Sequence, residues 1–381
     1  MTLTMPFTEI KSSPQMRAAV AVTSFAPTHD AIIDGDIHNY VASPQLLFPY
    51  LAERWQRRLD AGGIGVGIGA AYPGGNYPKH HPYAARVDAW PPGKVPGADL
   101  DFMRKQLLDE WNIAYGVLNT LHFAGQQRIP EYAQALATAL NDWQVEHWLD
   151  PEPRLRAAII APFEDGDAGA AEVERCARDK RFVQVLVPVR TQEPLGRRKY
   201  WPMYEAAERN GLPIAIHFGG SNGWPITGAG WPSFYIEDHA GMAQSFQSHV
   251  ISLVCEGVFE RFPALKVVLV EGGFAWLAPL MWRLDQSWKR LRDEVPHVTR
   301  LPSETIREHF WFTTQPIEEP PKPLYFKQLL EQLDMNDRIL FATDYPHWDF
   351  DAPDQSLPTN IAPALRRQIM SENARALYGF E

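Results

Sequence analysis

The segment Ala31-Ile32-Ile33-Asp34-Gly35-Asp36-Ile37-His38 decides how the rest of the chain is interpreted. Its apolar start predicts a buried strand, and its acid-x-His ending places two polar side chains where the strand leaves the core. Residues two apart in a strand share a face at about 7 Å spacing, so Asp36 and His38 can approach one point. Carboxylate oxygen and imidazole nitrogen are typical ligands of divalent metal ions. Two ligands make no site, so others must come from elsewhere in the chain.

Strands and helices alternate along the chain from about residue 99 onward. Together with the first strand, this rhythm predicts eight strand-helix units, with later strands near 114–118, 156–161, 182–187, 214–217, 266–270, 310–313 and 339–342. Pro188 follows the fourth strand and is expected to end it. Eight such units predict an α/β fold, a (β/α)8 TIM barrel with its active site at the carboxyl ends of the strands. A doubly wound open sheet is the alternative.

The region 43–97 interrupts this order with repeated glycine and proline, including Pro73-Gly74-Gly75 and Pro91-Pro92-Gly93. Long irregular segments in compact domains are usually lids or binding loops. We therefore expect residues 1–30 to form an N-terminal arm, residues 31–381 to form the barrel, and 43–97 to be a lid inserted after strand one.

Composition limits the partners of the protein. The chain of 381 residues has a formal net charge of -10 with both signs mixed, which argues against a nucleic acid or an anionic membrane. Two cysteines, Cys176 and Cys255, stand outside any metal-binding spacing and favour a reducing compartment. No signal peptide or membrane span is apparent, so we expect a cytoplasmic protein that acts on a small molecule.

Further ligand-type residues appear where the barrel requires them, at strand ends. Strand five ends in His217, strand six in Glu271, and strand eight in Asp344. With Asp36 and His38, this places imidazoles and carboxylates on one rim.

These pieces also carry a family resemblance. The matching segments are Asp36-Ile37-His38, Ile216-His217, Phe262-Pro263-Ala264-Leu265-Lys266, Ala342-Thr343-Asp344-Tyr345-Pro346-His347 and Ser371-Glu372-Asn373-Ala374-Arg375. Together and in this order they resemble the amidohydrolase superfamily, in the amidohydrolase-2 branch that contains the aminocarboxymuconate-semialdehyde decarboxylase group. The resemblance implies Asp36, His38, His217 and Asp344 as ligands of one divalent ion. Zinc is favoured, with manganese or magnesium as alternatives. The resemblance also implies a homodimer or higher homo-oligomer, because dimers are common in the branch.

Two positions depart from the family pattern. Many relatives open with His-x-His or Glu-x-His where this chain has Asp36, and the decarboxylases carry a histidine where it has Glu271. The second departure removes the usual acid/base of the decarboxylases. The presence of Glu271 therefore favours hydrolysis over decarboxylation as the predicted reaction.

The expected chemistry uses an ion-bound water, whose pKa falls toward about 7. The resemblance implies that Asp344 accepts the water proton and returns it to the leaving group. Glu271 is a candidate shuttle or ligand-orienting group, and His347 a candidate for orienting substrate; structural roles are alternatives for both. Asp36 and Asp344 can instead cap turns, and His38 and His217 can be core histidines.

Three further residues are predicted to bind substrate. Arg190, past strand four, is a candidate carboxylate clamp. Trp224 lies in an aromatic loop after strand five, and His239 precedes the following helix; packing roles are the alternatives. The chain is thus expected to be a metal-dependent hydrolase of an ester, lactone, amide or activated carbon-carbon bond. The alternatives are a non-oxidative decarboxylase of an aromatic or unsaturated acid, and a metal-free binding or structural barrel.

Overall fold

A computed structural model of the chain describes residues 31–62, 82–220 and 228–381. Within these ranges, eight parallel strands pair with their neighbours in chain order. The strands are β1 Ile32–Ile37, β2 Ile113–Leu118, β3 Leu155–Ile160, β4 Phe182–Arg190, β5 Ile214–Gly220, β6 Val267–Val270, β7 Phe310–Thr313 and β8 Ile339–Leu340. The predicted strand order is confirmed.

Backbone hydrogen bonds join the last strand to the first and close the barrel. The Gly35 amide donates to Phe341 O at 2.8 Å, and the His38 amide donates to Tyr345 O at 2.7 Å. The Asp344 amide donates to Asp36 O at 3.1 Å. Because an open sheet would leave these edges unpaired, the TIM barrel is confirmed and the doubly wound alternative is wrong.

Helices connect the strands and surround the barrel. In the described residues they are α1 Glu53–Gly62, α2 Leu100–Met103, α3 Pro130–Gln144, α4 Gly166–Cys176, α5 Trp201–Arg209, α6 Tyr235–Gly241, α7 Ala243–Cys255, α8 Val258–Arg261, α9 Leu277–Leu291, α10 Pro302–His309, α11 Pro323–Leu333, α12 Pro363–Arg367 and α13 Asn373–Tyr378. Several begin with proline at the first turn, where its missing N–H costs no hydrogen bond. No helix of the described residues is both long and apolar enough to cross a membrane.

The fourth strand is longer than expected, because Pro188 lies inside it and does not end it. Pro188 pairs with His217 of β5, while the pairing of β4 with β3 stops at Leu186. Beyond Leu186 the strand has one partner only, and such an edge tolerates a residue that lacks an N–H donor. The extension carries Arg190 to the mouth of the barrel.

Apolar side chains fill the space inside the barrel and the layer between strands and helices. The interior cluster is formed by one or two residues from each of several strands: Ile33, Ala158, Leu186, Ala215, Val268, Trp311 and Leu340. Alanines opposite larger side chains allow close packing at the barrel axis. Truncation of a large interior side chain is expected to cost about 2–5 kcal/mol. This packed floor holds the polar rim above it in place.

The predicted division of the chain is described only in part. The arm 1–30 lies outside the described residues, as do residues 63–81 of the predicted lid. The remaining part of the insertion contains α1 and the segment 82–97.

Candidate metal and catalytic site

Side chains from four strand ends converge at one point of the rim. His38 Nε2 lies 2.7 Å from Asp344 Oδ1 and 3.4 Å from Asp36 Oδ1. His217 Nε2 lies 3.1 Å from Asp36 Oδ2, and His217 Nδ1 lies 3.6 Å from Glu271 Oε2. All five residues are buried. The structure thus brings together all four predicted metal ligands and Glu271.

Backbone contacts fix which ring nitrogens face this point. His38 Nδ1 donates to the carbonyl oxygen of Asn119 at 2.7 Å, and His217 Nδ1 donates to that of Phe218. A carbonyl oxygen only accepts, so Nδ1 carries the hydrogen in each ring and a neutral ring presents a bare Nε2. Both bare nitrogens face the carboxylate of Asp36. Lone pairs directed at a carboxylate repel it unless a proton or a cation lies between them.

The donor set therefore fits a divalent ion. Two overlapping groups each offer four ligand atoms within 4.8 Å of one another: Asp36, His38, His217 and Glu271; and His38, Glu271, Asp344 and His347. In addition, Asp344 Oδ2 is buried and accepts no hydrogen bond from a described residue. Mixed nitrogen and oxygen donors suit zinc, manganese or magnesium. Glu271 belongs to both groups, so it is also a candidate ligand.

Glu271 and Asp344 share an unusual backbone conformation. Both have φ of 59°, in the left-handed region that non-glycine residues seldom adopt. Thr313 Oγ1 accepts a hydrogen bond from the Glu271 amide at 3.0 Å, and the Asp344 amide is bound to β1 as described above. Such strain of about 1–3 kcal/mol persists where the surroundings enforce it, often at active sites.

Burial and the interactions among neighbouring ionisable groups shift the pKa values of the cluster residues. Burial and the neighbouring Asp349 and Asp36 raise the pKa of Glu271 well above its usual value. Burial, Glu271 and Asp349 likewise raise the pKa of Asp344. Burial acts to raise the pKa of Asp36, but its interactions with His217, His38 and Asn119 act to lower it, and the net shift is downward. Burial lowers the pKa of His38 to about 4, so its ring is neutral at neutral pH.

His347 contacts the predicted acid/base directly. Its Nδ1 lies 2.7 Å from Asp344 Oδ1, and its Nε2 lies 2.9 Å from the hydroxyl of Tyr40. Its ring also stacks on His38, with centroids 4.4 Å apart. The structure thus provides a contact through which a proton can pass between His347 and Asp344.

The guanidinium of Arg190 already has a carboxylate partner. Its Nη2 donates to both oxygens of Asp238, at 2.9 and 3.2 Å, and both side chains are buried. The guanidinium also lies 5.4 Å from the ring centroid of Phe218. Its predicted role as a substrate clamp stays a prediction.

The other predicted substrate residues lie apart from the ligand cluster or outside the described chain. His239 Nε2 lies 2.8 Å from Asp349 Oδ2, and its ring centroid lies 5.2 Å from that of Trp348. Because Asp349 raises the pKa of Asp344, His239 is one residue removed from the cluster. Trp224 lies outside the described residues.

The described end of the predicted lid packs against the mouth of the barrel. The Arg86 amide donates to Pro346 O, and the Trp348 amide donates to Ala84 O at 2.7 Å. Gly97 has φ of 71°, and a Cβ there would meet His38 O at 2.6 Å, so glycine allows this approach. The segment 82–97 therefore lies beside the ligands, and its action as a lid stays a prediction.

Sequence reasoning missed three supporting residues. Asn119 Nδ2 donates to Asp36 Oδ1 at 2.9 Å, and its carbonyl holds His38. Asp34 accepts hydrogen bonds from Thr343 Oγ1 at 2.6 Å and from the Thr343 amide at 3.0 Å, which joins β1 to the chain after β8. Asp349 contacts His239. Asn119 directly follows β2, so the strand-end rule that found the ligands would have found it too.

Comparison with known proteins shows similarity along most of the chain. The amidohydrolase family model matches residues 33–380. The gamma-resorcylate decarboxylase of Polaromonas sp. is 28% identical over 76% of this chain and 90% of its own length. The 2-amino-3-carboxymuconate-6-semialdehyde decarboxylase of Dictyostelium discoideum is 22% identical over 64% of this chain and 66% of its own. A crystal structure of a dihydroxybenzoic acid decarboxylase from Polaromonas sp., with manganese and the inhibitor 2-nitroresorcinol, superposes with a TM-score of 0.64 at 22% identity, covering 92% of this chain and 97% of that one.

These relatives correct the expected reaction. They are decarboxylases, so the prediction of a hydrolase is wrong, and the alternative of a decarboxylase is the better one. Glu271, which stands where the decarboxylases carry a histidine, therefore does not by itself indicate hydrolysis. The ligand set alone does not separate the two reactions, because one ion can polarise an ester carbonyl or bind a carboxylate.

Proposed function

Given that this chain belongs to the amidohydrolase family, we propose that it is a metal-dependent, non-oxidative decarboxylase of a hydroxylated benzoic acid. The product is carbon dioxide and the corresponding phenol. The relatives' reaction supports this choice, since one of them is matched over 90% of its length. A hydroxyl ortho to the carboxyl group assists the reaction, because it shares the positive charge that develops when the ring carbon is protonated.

The observation that carries the proposal is the pair of bare imidazole nitrogens facing one carboxylate. His38 Nε2 and His217 Nε2 both face Asp36, and Asp344 completes the group at 2.7 Å from His38. We propose that these four residues hold the metal and that Glu271 is a fifth candidate. We favour manganese, which the Polaromonas structure contains, over the zinc favoured by the sequence. A divalent ion held there would supply positive charge that stabilises an anionic substrate.

Asp344 is the proposed proton donor. The ring carbon must first take up a proton, and the electron pair of the broken carbon-carbon bond then restores the aromatic ring as carbon dioxide leaves. Asp344 Oδ2 is buried and accepts no hydrogen bond from a described residue, so it can carry the proton while Oδ1 keeps its contacts with His38 and His347. His347, 2.7 Å from Asp344 Oδ1, then returns a proton to Asp344, with Tyr40 behind it.

Aromatic side chains near the rim suit a ring-bearing substrate. The ring of Tyr83 lies 6.3 Å from that of Tyr40 and 5.7 Å from that of Trp90. Trp348 lies 6.2 Å from Tyr235 and donates through Nε1 to its hydroxyl at 3.0 Å. Such surfaces favour flat apolar ligands.

The test is direct product analysis. The purified protein, loaded with Mn²⁺, is incubated with 2,6-dihydroxybenzoate and with other ortho-hydroxybenzoates, and released carbon dioxide and phenol are measured. We expect equal amounts of both products, loss of the reaction after chelation, and no reaction with unsubstituted benzoate. Absence of carbon dioxide from every hydroxybenzoate, with protein that retains its metal, would overturn the proposal.

A further inference from the structure

A chain of buried side-chain hydrogen bonds runs through the barrel to Asp36. The hydroxyl of Tyr378 lies 2.7 Å from Gln184 Oε1, and Gln184 Nε2 lies 2.8 Å from Asn119 Oδ1. Asn119 Nδ2 in turn lies 2.9 Å from Asp36 Oδ1. Asn119 and Gln184 are fully buried. Four residues from β1, the end of β2, β4 and α13 are thus linked in series.

The series has only one possible direction. A carboxylate of Asp36 only accepts, so Asn119 must turn its amide nitrogen to it and its oxygen toward Gln184. Gln184 must then donate through Nε2, which leaves its oxygen to accept from the Tyr378 hydroxyl. Burial raises the pKa of Tyr378 and keeps that hydroxyl protonated. The carboxylate at one end therefore determines both amide orientations, and the Tyr378 hydroxyl supplies the donor that the last amide oxygen then requires.

The side-chain amide of Asn119 already uses both of its hydrogens in hydrogen bonds. Its second hydrogen is directed at Gly35 O at 3.2 Å, and its backbone carbonyl accepts from His38 Nδ1 at 2.7 Å. Asn119 thus holds one carboxylate and one imidazole of the cluster at once. A rotation of its amide would place its oxygen against the carboxylate of Asp36.

The series reaches the end of the barrel opposite the site. Tyr378 lines a cavity of about 410 Å³ together with Phe182, the first residue of β4, and Leu212, which precedes β5. These residues lie at the amino ends of the strands, whereas Asp36 lies at a carboxyl end. The last helix is therefore connected by hydrogen bonds to the ligand cluster.

We propose that Asn119, Gln184 and Tyr378 are positioning residues that orient Asp36 and His38 for metal binding. This inference rests on the proposed metal centre and adds to it residues that do not contact the ion. Residues that orient metal ligands commonly change metal affinity by about 10–100-fold when replaced. The loss of metal affinity should be smaller for residues further from Asp36, because small side-chain movements at each intervening hydrogen bond can compensate.

Two variants and one control test the inference in the full-length protein. Gln184→Glu keeps the shape of the side chain but replaces the donor to Asn119 by an acceptor. Tyr378→Phe removes only the terminal hydroxyl. Tyr115→Phe is the control. The ring centroids of Tyr115 and Tyr378 lie 4.5 and 5.3 Å, respectively, from that of Phe380, so both rings stack on the same residue. The Tyr115 hydroxyl, however, makes no hydrogen bond among the described residues.

The readout is the Mn²⁺ affinity of each metal-free protein, measured by competition with a chromophoric chelator, beside its melting temperature. We expect affinity to fall about 10-fold or more in Gln184→Glu and about 3-fold in Tyr378→Phe, and to stay unchanged in Tyr115→Phe. If Gln184→Glu does not fold, the Mn²⁺ affinity of Tyr378→Phe tests the inference.

Folded variants that bind Mn²⁺ as tightly as the wild type would overturn the inference and leave the proposed function intact. An equal loss in Tyr115→Phe would also overturn it, because general loosening of the last helix would then explain the result. A wild-type protein that binds no Mn²⁺ would instead refute the metal centre on which the inference rests.

Discussion

His38 and Asp344 are 306 positions apart in the chain, yet His38 Nε2 lies 2.7 Å from Asp344 Oδ1. The contact exists because β1 and the chain after β8 are neighbours in a closed barrel. The same seam carries the hydrogen bond from the Asp344 amide to Asp36 O. Closure of the fold and assembly of the ligand cluster are therefore the same structural event.

Asp344→Asn is expected to reduce turnover strongly. The amide cannot donate a carboxyl proton to carbon, so decarboxylation should fall by about 10²–10⁴-fold. Elemental analysis should show reduced manganese, as it should for His217→Ala. Asp337→Asn, at an exposed carboxylate, is the matched control. Full occupancy together with near-normal turnover in Asp344→Asn would contradict its assignment, and a wild type without metal would favour the metal-free barrel.

Glu271→Gln should separate stability from activity. Burial and neighbouring carboxylates raise the pKa of Glu271, so its carboxyl group destabilises the metal-free fold at neutral pH. Removal of that group should raise the melting temperature of metal-free protein by about 2 °C while lowering turnover. Glu294→Gln, at an exposed site, is the control and should change neither quantity. A Glu271→Gln protein that melts lower than the wild type would contradict this electrostatic account.

Asp34→Asn should become relatively more stable as pH rises. Burial raises the pKa of Asp34 from 3.8 to about 7, despite its hydrogen bonds from Thr343. The folded wild type therefore keeps a proton that the unfolded chain releases, and its stability falls as pH rises from about 4 through 7. The variant lacks this titration, so its free energy of unfolding relative to the wild type should increase over that window. Denaturant unfolding of metal-free protein at pH 5, 6 and 8 measures it, and a constant difference would contradict the assignment.

His249 should contribute the opposite pH dependence. Its Nδ1 accepts from the Leu195 amide at 3.1 Å, and its Nε2 donates to Val189 O at 2.7 Å. Burial lowers its pKa from 6.5 to about 4. Between these two pH values the histidine binds a proton in the unfolded chain but not in the folded protein. Wild-type stability should fall as pH decreases from 6.5 toward 4, by up to about 1.4 kcal/mol per pH unit from this group. In His249→Gln that slope should be smaller, and the difference from the wild type should be constant above pH 7.

The barrel and most of the cluster followed from the sequence because parallel strands impose a simple rule. All strand ends of one kind lie on one rim, so Asp36, His38, His217, Glu271 and Asp344 could be grouped without knowledge of any loop. The rule failed where contacts depend on irregular segments. Asp238, the partner of Arg190, lies in α6, and no periodicity predicts where the irregular segment before α6 places that helix.

The reaction was predicted wrongly for a related reason. The ligand residues are compatible with more than one substrate, and Glu271 appeared to make decarboxylation the less secure alternative only because the decarboxylases carry histidine there. In the structure Glu271 lies 3.6 Å from His217 Nδ1 and belongs to both groups of ligand atoms. Its role depends on surroundings that a single position in the sequence does not reveal.

The seam between the first and last strands has a consequence for biosynthesis. A polypeptide emerging from the ribosome presents Asp36 and His38 early, but Asp344 only after all eight strands have been made. The interior cluster also lacks its last strand until then. A nascent chain consequently carries Asp36 and His38 without their partners from the end of the barrel, and the ligand cluster can be completed only in a single late step.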